Sequence, residues 1–433
     1  MKNILHITAH MGGGVGKVLS GISTYANKYS DRYKHKIVLL EKPQKMNFID
    51  ICCESGVEIK ICDDFEQVYA EIEAADIVQI EWWNHPKMSE FMASFPEINT
   101  RVVIWAHISG CTYPNIPFEF IKIPSKFLFT SECSYENPMW NKLEREYVKK
   151  NTKVINSSGG FEKLKGKKLK RHEGFNIGYI GTLNYSKLNE KFYEYYQSID
   201  IKDVKFTIVG DIENSNEIVK DLKKSNLYDK TIINGYVDDV GKEMETFDVF
   251  SYLLNKDHFG TTENILLEAM AMGLPVVAIN QCAEKFIIKH METGILVETV
   301  EEYKQAINYL YNNPKEANAM GAKAKEFVLN KFSVENTVNN LHMIYSEILN
   351  EDKKIYNFRE VLGERPYEWF LKFLGEHEKI FDKMSKNIEK TQKNEKLKIN
   401  LRILKEKNKS SIYQFLKYYP EDEILKYWSD IIE

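Results

Sequence analysis

The stretch Asp257-His258-Phe259-Gly260-Thr261-Thr262-Glu263-Asn264-Ile265-Leu266-Leu267-Glu268-Ala269-Met270-Ala271-Met272-Gly273-Leu274-Pro275-Val276-Val277-Ala278 decides the fold. It reads as a polar loop, a short helix, a glycine stop and a buried strand. Loop, helix and strand in that order form half of a unit in which a helix covers a parallel sheet. A helix start in such a loop offers backbone N–H groups suited to a diphosphate. A carboxylate further along, Glu268, can accept two ribose hydroxyl hydrogen bonds.

Outward from this stretch, short Val- and Ile-rich runs alternate with longer segments of helical period. Toward the amino terminus the strand candidates are 4–8, 36–40, 58–62, 76–80, 101–106, 127–130 and 154–156. They resume at 175–180, 204–209, 231–234, 249–253, 275–279 and 294–297 after a basic stretch that reads as an exposed linker. The expected organisation is one α/β unit at 1–165, a second at 173–350 and a helical extension at 351–433. In the extension, Pro420 with Glu421, Asp422 and Glu423 suits a helix start.

Composition narrows the function classes. Across 433 residues, 59 Lys+Arg against 63 Asp+Glu leave a formal charge of −4, so no global field draws nucleic acid or a membrane. The total conceals a basic segment, 382–409, with ten Lys+Arg and four acids. Two readings of it stand side by side: a solvated helix, or peripheral contact with an anionic membrane. Six cysteines without a C-x-x-C pair suggest a reduced compartment. Residues 1–8 lack the pattern of a secretory signal, and no window approaches the ~18 to 20 apolar residues of a membrane span. The expectation is a cytoplasmic protein, peripheral on the inner membrane face if the basic segment binds lipid.

The cluster Gly12-Gly13-Gly14-Val15-Gly16-Lys17 follows the first strand candidate. A P-loop here would need glycine at Met11 and a hydroxyl at Val18. The dinucleotide fingerprint would need glycine at Lys17 or Leu19. Both templates fail. What remains is a glycine turn that lets an anion or sugar approach a helix N-terminus, or a tight turn without a ligand.

The stretch Glu268 to Val277 closely resembles the E-A-M-A-x-G-x-P-V-V signature of the group 1 family of retaining glycosyltransferases with the GT-B fold. Other matches follow in order: Gly178 to Leu183 with Lys187, Val209-Gly210-Asp211, Gly235-Tyr236-Val237 and Thr293 to Val297. The amino-terminal half is looser, with Gly12 to Gly16, His107 and Ser131-Glu132 in suitable places. The resemblance spans roughly residues 1–350 and not the extension. It implies two Rossmann-like domains facing a cleft.

Through the resemblance, Glu268 looks like the carboxylate on the donor ribose, and Lys187 like the lysine that neutralises the departing diphosphate. Gly13, Gly14 and Gly16 resemble the loop facing that diphosphate. His107 matches a histidine lining the sugar pocket, and Gly235, Tyr236 and Val237 would lie beside the base. Two departures stand out. Thr182 sits where many relatives carry Arg, and Gly260 where they carry their first Glu. Either Glu263 takes over the sugar contacts or Asp257 to Gly260 stands in for E-G-F-G.

The expected function is therefore a retaining transfer of sugar from a nucleotide diphosphate donor, UDP-linked, to an acceptor hydroxyl in glycan biosynthesis. His107, Lys187 and Glu263 carry the chemistry; Thr182, Gly260, Thr261, Thr262 and Asn264 join the donor site. Trp82, Trp83 and His85 follow a strand end, where open α/β sheets place ligands, and are candidates for the acceptor. That acceptor can be a glycan, a lipid-linked glycan, a protein or a small molecule. No cofactor is expected, and the absence of D-x-D and of His/Cys ligand spacing argues against a metal. The alternatives are a catalytically silent partner subunit or donor-binding module, and a nucleotide-sugar epimerase.

Overall fold

The structure, a computed structural model, describes residues 1–43, 45–211, 215–385, 402–405 and 410–432. The chain forms two compact units. The first comprises Met1–Gly159, Phe259–Thr261 and Val334–Glu433; the second comprises Gly160–His258 and Thr262–Ser333.

The first unit holds a seven-stranded sheet: β1 (Lys2–Thr8), β2 (Tyr33–Leu39), β3 (Glu58–Ile61), β4 (Ile77–Trp82), β5 (Val102–Ala106), β6 (Lys126–Phe129) and β7 (Lys153–Val154). The strand order is β3-β2-β1-β4-β5-β6-β7 and every pairing is parallel. Every residue of β4 and β5 is buried, as a sheet covered on both faces requires.

The second unit holds six strands: β8 (Phe175–Ile180), β9 (Val204–Val209), β10 (Thr231–Asn234), β11 (Val249–Tyr252), β12 (Val276–Ile279) and β13 (Ile295–Val297). Their order is β10-β9-β8-β11-β12-β13, again all parallel. The thirteen strands fall on the thirteen segments read from the sequence. In each sheet the direction of winding reverses once, beside β1 in the first and β8 in the second. At such a point the loops diverge and leave a crevice at the strands' carboxyl ends.

The boundary expected at residue 350 moves. The helix Val334–Ile348 belongs to the first unit, where Val338, Leu341, Ile344 and Tyr345 share a core with Val18, Leu19 and Ile22. Its apolar stripe was visible in the sequence, but a stripe says that a face is buried, not which sheet covers it.

The extension is likewise part of the first unit's core. Phe370, Phe373, Phe415 and Trp428 are fully buried in one cluster with Trp82, Phe91 and Phe120. Asp422 caps the helix Glu423–Ile431, accepting hydrogen bonds from the backbone N–H groups of Ile424 and Leu425 at 3.0 Å each, so Pro420 precedes the cap instead of sitting in the first turn. Most of the basic segment proposed for membrane contact, 386–401 and 406–409, lies outside the described residues. Within it Leu404 is buried in the same core. No helix among the described residues is long and apolar enough to cross a membrane.

Candidate functional site

In the second unit the loops after β8, β10 and β11 carry Lys187, Gly235 to Val237 and Glu263. Lys187 follows β8 in a turn whose backbone is fixed twice: its N–H donates to Asn184 O at 3.2 Å and its carbonyl accepts from Asn255 N–H at 2.8 Å. That brace aims Nζ at Glu263, and both carboxylate oxygens accept at 2.8 Å. Glu263 is the N-cap of the helix Asn264–Met272, which Gly273 ends in the left-handed region at φ 88°. Its carboxylate is turned away from the cap. The Tyr252 hydroxyl at the end of β11 also donates to it.

Burial pushes the Glu263 carboxyl upward. The charges of Lys187 and His258, with hydrogen bonds from Lys187 and Tyr252, outweigh that and hold it well below the usual carboxylate range. Burial and the Glu263 charge drive Tyr252 the other way, so it remains a phenol and a donor. His258 is fully buried between two acids, Nδ1 3.8 Å from Glu263 Oε1 and Nε2 3.2 Å from Glu284 Oε1. Neither Tyr252 nor Glu284 was singled out from the sequence: Tyr252 lies in an apolar run that reads only as core, and Glu284, beside Lys285, reads as an ordinary surface residue.

Of the two registers left open, the geometry puts Glu263 on Lys187. Gly260 and Thr261 group with the first unit, where the Thr261 hydroxyl meets that of Thr130 at 2.9 Å. Thr262 and Asn264 flank Glu263 and are half-buried, as is Glu268 on the helix itself. The Thr182 carbonyl accepts from Tyr179 OH at 3.1 Å. Gly235, Tyr236 and Val237 follow β10; Tyr236 is 58% exposed, and a Cβ on Gly235 would meet nothing within 4 Å.

In the first unit the glycine turn separates into two kinds of position. Gly13 is the N-cap of the helix Gly14–Tyr29 with φ 81°, and both Gly13 and Gly14 are exposed. Gly16 is buried, and a Cβ there would stand 2.1 Å from Met11 O. Close packing of the helix against the turn at Met11 and against Phe48 accounts for glycine at position 16.

His107 lies just past β5, and its backbone N–H donates to Trp82 O at 2.8 Å. Its Nε2 is 2.7 Å from Glu81 Oε2, while His6 Nδ1 is 2.6 Å from Glu81 Oε1 and Gln79 Nε2 donates to the same oxygen at 2.8 Å. The buried chain continues through His35 to His342, at 2.7 and 3.2 Å. Burial raises Glu81, but the hydrogen bonds and charges of His107 and His6 more than offset this and hold it ionised. His107 is thus both a strand-end residue and a partner in a buried network.

The acceptor candidates divide as well. Trp82 is fully buried, its ring 4.9 Å from Phe120 and 5.1 Å from Phe373, so its side chain serves the core and not a binding surface. Trp83, just past the end of β4, is half-buried with Nε1 donating to Thr8 Oγ1 at 3.1 Å. His85 caps the helix Pro86–Ala93 through Nδ1, which accepts from Lys87 N–H at 3.3 Å.

Residues 160–327 match the family of glycosyl transferases group 1. Among curated proteins, N-acetyl-alpha-D-glucosaminyl L-malate synthase of Bacillus anthracis is 32% identical over 154 residues, 35% of this chain and 39% of that protein. The capsular polysaccharide biosynthesis glycosyltransferase CapM of Staphylococcus aureus is 25% identical over 187 residues, 42% of this chain and 48% of its own length. The matches therefore span less than half of these relatives. Among solved structures, Anabaena Alr3699/HepE in complex with UDP aligns over 80% of this chain and all of its own, with TM-score 0.65 and 15% identity. A glycosyltransferase from Rickettsia africae covers 81% of this chain and 99% of its own, with TM-score 0.68 and 18% identity. These likenesses establish the GT-B fold.

Proposed function

For a chain whose residues 160–327 match the glycosyl transferases group 1, we propose transfer of a sugar from a nucleoside diphosphate donor to an acceptor hydroxyl, with retention and without a metal. The observation that carries it is the buried Glu263 carboxylate at a helix start, gripped by Lys187 beyond the carboxyl ends of β8 and β11. The start of the helix Asn264–Met272 supplies backbone N–H groups toward a diphosphate. Two of the three Nζ protons of Lys187 are committed to Glu263; the third remains for a phosphate oxygen. Glu268 would hold the ribose and Gly235 to Val237 the base.

UDP is the nucleotide assigned, supported by the UDP complex of the Anabaena neighbour. Among the described residues no pair of carboxylates stands out as nucleophile and acid, so the reading favours departure and attack on one face, the donor phosphate taking the acceptor proton. Glu268→Ala tests the site: UDP affinity by calorimetry falls at least tenfold with the fold intact, and unchanged affinity overturns the assignment.

A second reading, a donor-binding module without transfer, is favoured by one feature. The lysine expected to neutralise the leaving diphosphate is itself neutralised by Glu263. Nucleotide binding without transfer or donor hydrolysis across a panel of nucleotide sugars would establish it.

A further inference from the structure

At the carboxyl ends of β1, β2 and β4, three side chains converge that lie far apart in sequence. His10 Nε2, Glu41 and His85 Nε2 place their polar atoms within 4.8 Å of one another. The donor set resembles a metal site, but the hydrogen bonds behind the two rings argue otherwise. His10 Nδ1 accepts from Gly12 N–H at 3.0 Å, and His85 Nδ1 accepts from Lys87 N–H at 3.3 Å. A neutral imidazole whose Nδ1 accepts carries its proton on Nε2. Burial pushes both rings toward the neutral form. Both therefore present N–H, not a lone pair, to the centre of the group.

Nor does the arrangement suit an anion, because Glu41 faces the same space. His10 Nε2 stands 3.9 Å and His85 Nε2 3.6 Å from Glu41 Oε1, both beyond hydrogen-bond reach. A donor N–H and an acceptor carboxylate held slightly too far apart are complementary to a group that accepts and donates at once. A hydroxyl does so. His10 and Glu41 keep 24% and 23% of their side-chain surface exposed, so the opening is reachable. The Trp83 ring lies 4.9 Å from His10 and 4.7 Å from His85 and supplies an apolar wall for a sugar face.

The carboxyl-terminal extension completes this group. Tyr418, the last residue of the helix Ile412–Tyr418, donates from its hydroxyl to Glu41 Oε2 at 2.7 Å. Its oxygen stands 3.4 Å from His85 Nε2, and the two rings meet edge to face at 5.2 Å. One carboxylate oxygen of Glu41 is thereby occupied and aimed, leaving Oε1 toward the opening.

We propose that His10, Glu41, Trp83 and Tyr418 form a subsite for a hydroxyl-bearing sugar unit of the acceptor, with the carboxyl-terminal extension setting its specificity through Tyr418. Assigning this ligand to the acceptor rests on the transfer reading above; the subsite itself does not. His85 is a positioning residue, since it is buried and acts through Tyr418 and Glu41.

The test uses the full chain and methyl α-D-glucopyranoside, methyl α-D-mannopyranoside, inorganic phosphate and Zn2+ as probes, with ligand-observed NMR for the glycosides and calorimetry for the ions and for UDP. The wild type binds at least one glycoside and neither phosphate nor Zn2+ at this group. Tyr418→Phe, which keeps the ring and the fold, weakens the glycoside roughly tenfold, as for loss of a hydrogen bond to a charged group. Glu41→Gln weakens it as much or more, and both variants keep wild-type UDP affinity. Unchanged glycoside binding in both variants, no glycoside binding by the wild type, or stoichiometric Zn2+ binding abolished by His85→Ala each overturns the proposal. Glycoside binding that depends on Tyr418 in a protein that binds no nucleotide supports the subsite and sinks the transfer reading instead.

Discussion

Lys187 Nζ holds both carboxylate oxygens of Glu263 at 2.8 Å across 76 residues of sequence, with the two side chains 14% and 8% exposed. Each ion is the other's main compensation for lost water. Removing one leaves a buried charge, which typically costs about 3–5 kcal/mol, whereas replacing both with neutral groups is far milder. Lys187→Met is therefore expected to lose stability in urea unfolding on that scale, and Lys187→Met/Glu263→Gln to recover a large part of it. If the double variant is as unstable as the single one, the pair is not the unit described here.

The buried histidines make the first unit sensitive to mild acid. Burial lowers His35 and His85 well below 6.5, and His342, again chiefly by burial, to about 4. Between the unfolded value near 6.5 and these folded values the unfolded chain binds more protons, so stability rises with pH across that range. Glu81 has the same sign lower down: its folded value is depressed, so its contribution is present above about 4.5 and is lost as pH falls toward about 2. Unfolding midpoints measured from pH 7.5 to 4.5 should fall continuously, and His342→Gln should shallow the slope. A flat profile would contradict the neutral burial of these rings.

Two glycines separate packing from ligand approach. At Gly16 a methyl group would stand 2.1 Å from Met11 O, so Gly16→Ala is expected to cost about 1–3 kcal/mol through overpacking. At Gly235 nothing lies within 4 Å, so Gly235→Ala should change stability by no more than about 0.5 kcal/mol. If Gly235 lies beside the nucleotide base, that substitution lowers UDP affinity while the melting temperature stays in place. Thermal unfolding with and without UDP reads both effects.

The strands and the Glu268 signature were legible because period and punctuation are local properties. Thirteen short β-branched runs bounded by polar segments have few other readings. What was hidden is what chain crossing creates. His6, His35, Glu81 and His342 come from β1, β2, β4 and a helix some 260 residues later; no spacing rule connects them. Glu81 directly precedes the acceptor candidates Trp82 and Trp83; strand alternation puts it on the opposite face from Trp82, but which of the two faces meets the apolar core is decided only by packing. Trp82 was misread for the same reason. His10 and Glu41 escaped notice because single polar residues after strands are commonplace, and only the parallel order β2-β1-β4 makes them neighbours.

The extension was the least legible part, and its packing yields the last prediction. The Phe370 ring lies 6.0 Å from Trp428, 5.3 Å from Phe415 and 6.1 Å from Phe381, and all four side chains are fully buried. The cluster continues into Trp82 and Phe120 beneath β4 and β5. An independent appendage would tolerate damage without disturbing the sheet. Here Phe370→Ala is expected to cost about 3–5 kcal/mol in one cooperative transition of the first unit, because a cavity opens in a core that the sheet shares. Amide exchange should show β4 and β5 losing protection together with the helix Glu423–Ile431. If the helix alone loses protection while both strands keep theirs, the extension folds on its own and the shared core is wrong.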